Sequence, residues 1–199
     1  MDNEKIYAKI ADSLVKDGYL VMNDVFTKEF CNTLLDLAKD ERGFKKAGIS
    51  KDEKLHIDST KRGDKTKWLD GSVDVEKSYL EFMNSLSEYL NRTLYLGLNY
   101  YEAHFAIYDI DEFYEKHLDA FKGSKNRVVT TVFYLNENWN KDDGGEIVLY
   151  NEDNNVIKTL TPISNTLVVF LSEKFPHEVL KSKKKRYSIA GWFRVDKKI

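Results

Sequence analysis

The hydrophobic positions of the chain change their period once, near residue 95. Before that point Ile6, Ile10, Leu14 and Val15 recur at helical spacing, and Phe30, Leu34, Leu37 and Ala38 do so again after Thr27, which is placed to cap a helix start. A third stripe, Tyr79, Phe82, Met83, Leu86, Tyr89 and Leu90, predicts a helix from about Val75 to Arg92. The short apolar run "GYLVMNDVF" between the first two helices reads as a strand. Residues 43–72 are polar, lysine-rich and without period, which in a compact domain marks a working loop or a disordered one.

From Asn99 the texture becomes short β-branched and aromatic runs: "YYEAHFAIYD", "RVVTTVFYLN", "EIVLYN", "VIKTLTP", "TLVVFLS", "HEVLK" and "RYSIAGWFRV", separated by turn material such as "DDGGE" and "NEDNN". Seven or eight strands after a helical lead-in predict a mainly β fold, an antiparallel jelly roll or double-stranded β-helix over residues 96–199, buttressed by α-helices from residues 1–95. No Pro/Gly/Ser-rich linker divides the 199 residues, so they are read as one domain.

Composition narrows the function by exclusion. Charged residues make up 32% of the chain but leave a formal net charge of only -2, so nothing in the global balance calls for nucleic acid or an anionic membrane as partner. The run "KSKKKR" at 181–186 is read as a solvated hairpin turn. The single cysteine, Cys31, cannot form an internal disulfide and suits a reducing cytoplasm. The N-terminus has no apolar leader and no run of residues is apolar enough for a membrane span, so a soluble, cytoplasmic protein is expected.

Candidate chemistry begins with a spacing that occurs twice, at His56-Ile57-Asp58 and at His117-Leu118-Asp119. Residues i and i+2 of a strand share a face, so His117 and Asp119 can present an imidazole and a carboxylate to one ion. His177 in "EKFPHEVL" is the candidate third ligand. Two histidines and one carboxylate leave positions open, as in non-haem Fe(II) oxygenases. A hydrolytic zinc site is the competing chemistry. The balance is tipped by an anchor for a dicarboxylate. Alternation puts Arg186, Ser188, Ala190 and Trp192 on one face, with the phenol of Tyr134 as a second donor and Lys184 as an alternative cation.

These residues resemble a known family. "YDIDEFYEKHLD" is similar to the Y-x-x-G-x-F-Y-x-x-H-x-D segment of prolyl hydroxylases that depend on Fe(II) and 2-oxoglutarate. "RVVTTVFYLNENWNKDDGGEIVLY", "PHEV" and "RYSIAGWF" resemble the strands that follow it, and "RGDKTKWLDG" resembles the substrate-covering segment of the oxygen-sensing and bacterial branch. The resemblance implies His117, Asp119 and His177 as iron ligands. It implies Arg186 and Tyr134 as partners of the distal 2-oxoglutarate carboxylate, Tyr108 as a wall of that pocket, and Arg127, Asp64 and Trp192 near the entering peptide. One departure is Asp111, where many relatives carry glycine; it is expected to stiffen or reshape the turn before Phe113. His56-Ile57-Asp58, in the aperiodic stretch, is not expected to bind metal, and His104 is read as pocket lining or core.

The activity implied is hydroxylation of a prolyl residue in a protein substrate, a translation factor such as elongation factor Tu being one candidate, with O2 consumed and succinate and CO2 released. Ascorbate is admitted as an accessory reductant, and residues 43–72 are expected to close over the peptide. The competing enzyme reading is hydroxylation of a free amino acid or small metabolite, held by Arg127 or Arg194. A jelly roll that binds metal without catalysis is the rival from another class.

Overall fold

In a computed structural model, residues 2–51, 54–56, 61–120 and 126–196 are described. The element order is α1 (Asn3–Lys16), β1 (Tyr19–Asn23), α2 (Lys28–Lys39), β2 (Lys45–Lys46), β3 (Ile49–Lys51), β4 (Lys54–His56), β5 (Lys65–Trp68) and α3 (Asp74–Leu94). Then follow β6 (Tyr100–Tyr108), β7 (Tyr114–His117), β8 (Arg127–Tyr134), β9 (Ile147–Tyr150), β10 (Val156–Leu160), β11 (Thr166–Leu171), β12 (His177–Val179) and β13 (Arg186–Arg194). Two antiparallel sheets form the jelly roll: a larger one in the order β1-β11-β8-β13-β6-β5-β2 and a smaller one in the order β10-β9-β12-β7. Among the described residues no helix is long and apolar enough to cross a membrane.

The helices form where capping and stripe agree. Thr27 Oγ1 accepts from Phe30 N at 3.2 Å and opens α2, satisfying one of the backbone donors that a helix start leaves free. Cys31, Leu34, Leu35 and Ala38 are its buried face. In α1 the stripe departs from expectation at one residue: Val15, on the last turn, is 71% exposed, and Tyr7 and Ala11 complete the buried face with Ile6, Ile10 and Leu14. α3 ends where Tyr95 turns left-handed at φ 55°.

Strand alternation then sorts the large sheet into two faces. On β8, Val129 and Phe133 join the helix-side core, whereas Val132 and Tyr134 pack toward the small sheet. On β6, Ala103 and Phe105 face the helices and His104, Ala106 and Tyr108 face the cavity between the sheets. On β13, Ile189 and Phe193 lie against the helices, while Arg186, Ser188, Ala190 and Trp192 line the cavity, as alternation predicts. Each fully buried Leu, Ile or Phe contributes about 1.5–3 kcal/mol, so the helix-covered face holds the sheet rigid and leaves the other face free to carry polar groups.

One expectation is corrected here. The stretch 43–72 carries regular structure: β5 adds to the edge of β6, β2 adds to β5, and β3 pairs β4. These strands are two to four residues long, too short for a hydrophobic period to register, and are set by backbone pairing. His56 lies in β4, while Ile57 and Asp58 are outside the described residues. At Asp111 the φ of 65° is the left-handed conformation that glycine favours and aspartate tolerates, and the Asp111 N–H reaches Ser182 O at 2.9 Å.

Candidate metal and oxo-acid site

The β7–β12 pair sets His117 directly opposite His177. β7 ends at His117, so Asp119 lies just past the strand rather than on it. The strand argument for a shared face therefore does not hold, yet the bend after His117 brings the carboxylate to the same place. Asp119 Oδ1 is 3.7 Å from His117 Nε2, and Asp119 Oδ2 is 3.5 Å from His177 Nε2. One ligand atom from each of the three residues lies within 4.8 Å of the others.

The imidazoles are oriented for coordination through Nε2. His177 Nδ1 lies 3.0 Å from Phe175 O and His117 Nδ1 lies 2.8 Å from Glu115 O, so each ring donates from Nδ1 and leaves the Nε2 lone pair turned toward the carboxylate. Tyr114 stacks on His117 with ring centroids 3.6 Å apart. Burial, reinforced by the neighbouring His177, lowers the His117 pKa to about 3, so the ring is neutral. Burial also opposes the charge on Asp119, but His177, His117 and Arg127 outweigh it and keep the carboxylate ionised. Two imidazoles and one carboxylate are the donor set that suits Fe(II) with open positions, and the site fits that ion.

Sequence reading missed the support beneath Asp119. Thr130 Oγ1 donates to Asp119 Oδ2 at 2.8 Å and lies 2.8 Å from Ser172 Oγ, and all three side chains are buried. Thr130 has the parity of Val132 and Tyr134 on β8, and that parity was the signal available. Thr130→Val keeps the shape and removes the bond. Metal affinity is expected to fall roughly 10- to 100-fold, measured by calorimetric titration with Mn(II), while the helix-side core is unaffected.

Across the cavity lies Arg186, only 1% exposed. Its Nε donates to Gly145 O at 2.9 Å and Nη1 to Ser188 Oγ at 3.3 Å, and its guanidinium lies 5.1 Å from the Tyr108 ring centroid and 5.0 Å from that of Tyr134. No carboxylate of the described residues pairs with it. The Tyr134 hydroxyl beside it is also buried without a hydrogen-bond partner. A buried cation and an orphaned donor side by side are costly unless an anion completes them, and the carboxylate of an oxo acid fits. Gly145 belongs to the "GG" turn. A Cβ there would come within 3.2 Å of Arg186 Cδ at a φ of 72°, so glycine lets the turn back the guanidinium closely. Lys184, the alternative anchor, pairs instead with Asp143 at 2.8 Å and is half-exposed.

The cavity is lined by the triad and by Arg186, Tyr108 and Trp192 together, with Val132, Ile147 and Val179 as apolar wall. Tyr134 borders Arg186 rather than the cavity itself. Arg127 also lines it, stacked 3.8 Å from the Trp192 ring centroid and ion-paired to Glu102 at 3.3 Å. Asp64, 1% exposed, is held by Arg62 through two bonds of 2.5 and 2.9 Å. Its carboxylate is thus engaged, and Arg62, which was not singled out from the sequence, becomes the cation at the rim; Arg-x-Asp spacing was the signal. Burial opposes the charge on Arg62, but Asp64 outweighs it.

His104 packs between Trp68 and Trp192, with ring centroids at 5.1 and 5.4 Å. Burial, together with Arg62, lowers its pKa from 6.5 to about 4. The unfolded chain then binds the proton more tightly than the folded one. Stability from this residue is complete above pH 6.5 and is lost as pH falls toward 4. A His104→Gln variant is expected to flatten that part of the stability-versus-pH curve in denaturant titrations.

Comparison with known proteins points to the family that the sequence resembles. A family profile described as 2OG-Fe(II) oxygenase superfamily matches residues 103–194. Human prolyl hydroxylase EGLN3 is 32% identical over 74% of the chain and 62% of its own length, so the chain spans less than two thirds of that curated relative. Among solved structures, a Pseudomonas putida prolyl-4-hydroxylase is 32% identical with a TM-score of 0.87, covering 96% of this chain and 100% of that one. A Trichoplax adhaerens prolyl hydroxylase, solved with a hypoxia inducible factor oxygen degradation domain peptide fragment, is 26% identical with a TM-score of 0.86, covering 96% and 90%.

Proposed function

Because the chain belongs to the 2OG-Fe(II) oxygenase superfamily, we propose that it is a prolyl hydroxylase acting on a prolyl residue within a protein, with Fe(II), 2-oxoglutarate and O2. The observation that carries this reading is the buried Arg186, without a carboxylate partner among the described residues, sharing one cavity with His117, Asp119 and His177. Iron with 2-oxoglutarate and O2 supplies the oxidation of a C–H bond, with 2-oxoglutarate leaving as succinate and CO2.

The chain's own residues hold and orient. Three side chains would hold the ion through Nε2 of each imidazole and the Asp119 carboxylate, and Arg186, backed by the Tyr134 ring, would grip the distal carboxylate of the oxo acid by charge-assisted bonds. Val132, Ile147 and Val179 keep that end of the cavity dry, which strengthens those bonds. Trp192, with Arg127 stacked on it, and the Arg62–Asp64 pair form the rim against which the substrate proline is set. The residues bearing β2 to β5 cover the bound peptide in this reading. Limited proteolysis should then show protection of 43–72 only when oxo-acid analogue and peptide are both present, and equal cutting in all conditions would contradict it.

A free amino acid fits less well, because the arginines that would hold its charges are engaged. Arg194 bonds Glu102 and Asp196 at 2.6 Å each and does not line the cavity, and Arg127 is paired and stacked. The translation-factor substrate, such as elongation factor Tu, and a cytoplasmic setting belong to the same proposal, the latter supported by the single buried Cys31. Succinate release is to be measured with prolyl peptides, intact elongation factor Tu and free proline, with and without ascorbate. Oxygen transfer to proline in a peptide or protein is the expected result. Turnover with free proline alone would overturn it.

A further inference from the structure

A groove runs outward from the cavity and shares Arg62, His104, Tyr114, Arg127 and Trp192 with it. Its outer walls bring in Lys45, Lys46, Lys67 and Trp68. No aspartate or glutamate of the described residues lines it. Two of its five cations are already neutralised, Arg62 by Asp64 and Arg127 by Glu102. Lys45 and Lys46, both exposed, and the half-exposed Lys67 make no ion pair among the described residues, although Lys65 on the same strand as Lys67 is paired to both Glu41 and Asp109. The acids that Lys67 senses, Asp40 and Asp70, lie outside the groove wall. Trp68 is 53% exposed beside them and offers an apolar face to an extended chain. In a chain with a net charge of -2, three lysines without an ion pair among the described residues stand on the route by which a substrate reaches the metal triad, although Lys46 also borders a second pocket that holds Asp111 and Glu112.

We infer that this groove recognises acidic side chains: the residues flanking the target proline carry Asp or Glu, which Lys45, Lys46 and Lys67 read while Trp68 packs on the backbone between them. The inference rests on the prolyl-hydroxylase reading above and adds to it the chemistry of the substrate segment. Exposed ion pairs act mainly on encounter and selection among partners, so the effect belongs in kcat/KM and weakens with salt.

The test is a panel of peptides of one length with a fixed central proline and flanks of Asp/Glu, Asn/Gln or Lys, assayed for oxygen transfer by mass spectrometry alongside succinate release. The acidic set is expected to exceed the neutral set by about ten-fold in kcat/KM at low ionic strength, the gap closing as salt is raised. In the charge-reversed variant Lys45→Glu/Lys46→Glu/Lys67→Glu, checked for an unchanged melting temperature, the order should invert. Equal kcat/KM across the panel, or an acidic preference surviving charge reversal, would overturn the inference while leaving prolyl hydroxylation standing. A polyanionic RNA that competes with every peptide alike, whatever its charge, would likewise overturn it and assign the groove to phosphate. Succinate formation without oxygen transfer to any peptide would overturn the prolyl reading and this inference with it.

Discussion

Asp119→Ala is expected to abolish both metal binding and turnover. Asp119 is the one anionic member of the triad, and its ionised carboxylate lies within 3.7 Å of both Nε2 atoms. Loss of an outer partner alone weakens a metal site by 10- to 100-fold, so loss of the charged ligand itself should exceed about a hundred-fold. The check that does not depend on activity is thermal. Metal at a hundred times its Kd stabilises the native protein by about 2.7 kcal/mol, and the variant should gain none of this. The metal-free variant is expected to be less stable than the metal-free parent, because the carboxylate accepts from buried Thr130 and is held ionised by its neighbours, so the comparison is made on the metal-dependent shift within each protein. A metal-dependent rise in melting temperature retained by Asp119→Ala would place the ion elsewhere.

Arg186→Met should separate oxo-acid binding from metal binding. The thioether fills much of the space along Tyr108 and Tyr134, while the fork toward the ligand carboxylate is lost. Leaving a buried carboxylate without its cation costs about 3–5 kcal/mol, so KM for 2-oxoglutarate should rise by roughly 10²- to 4 × 10³-fold. Metal affinity should stay within about two-fold, since Arg186 does not touch the triad. Arg186→Lys keeps the charge but cannot hold Gly145 O and a ligand at once, and should fall between the two. A variant that loses metal and oxo acid together would mean that Arg186 supports the fold rather than the ligand.

What could be read from sequence follows from which signals are local. Helix stripes and strand alternation are short-range, so α2, α3 and the inner face of β13 are legible in the sequence, whereas which face of β6, β8 and β11 meets the helices is not. The facing of His117 and His177 is a register fact of two strands sixty residues apart, which only the resemblance to a family supplied. Asp119 came to the right place by a bend and not by the strand period invoked for it. Thr130, Ser172 and Arg62 escaped notice for one reason: each acts through a partner distant in sequence or hidden in a polar stretch, and an isolated threonine in "VVTTVF" looks like any β-strand residue. The strands within 43–72 escaped because strands of two to four residues, held by their neighbours' backbones, have no period of their own.

Anaerobic addition of 2-oxoglutarate to the Fe(II)-loaded protein tests the shared cavity most directly. A 2-oxo acid chelating ferrous iron gives a visible charge-transfer band, which should grow to one equivalent per chain, be absent in Asp119→Ala, and require far higher oxo-acid concentrations in Arg186→Met. No band in the parent protein, or an undiminished band in Asp119→Ala, would contradict the assignment of one cavity to both ligands.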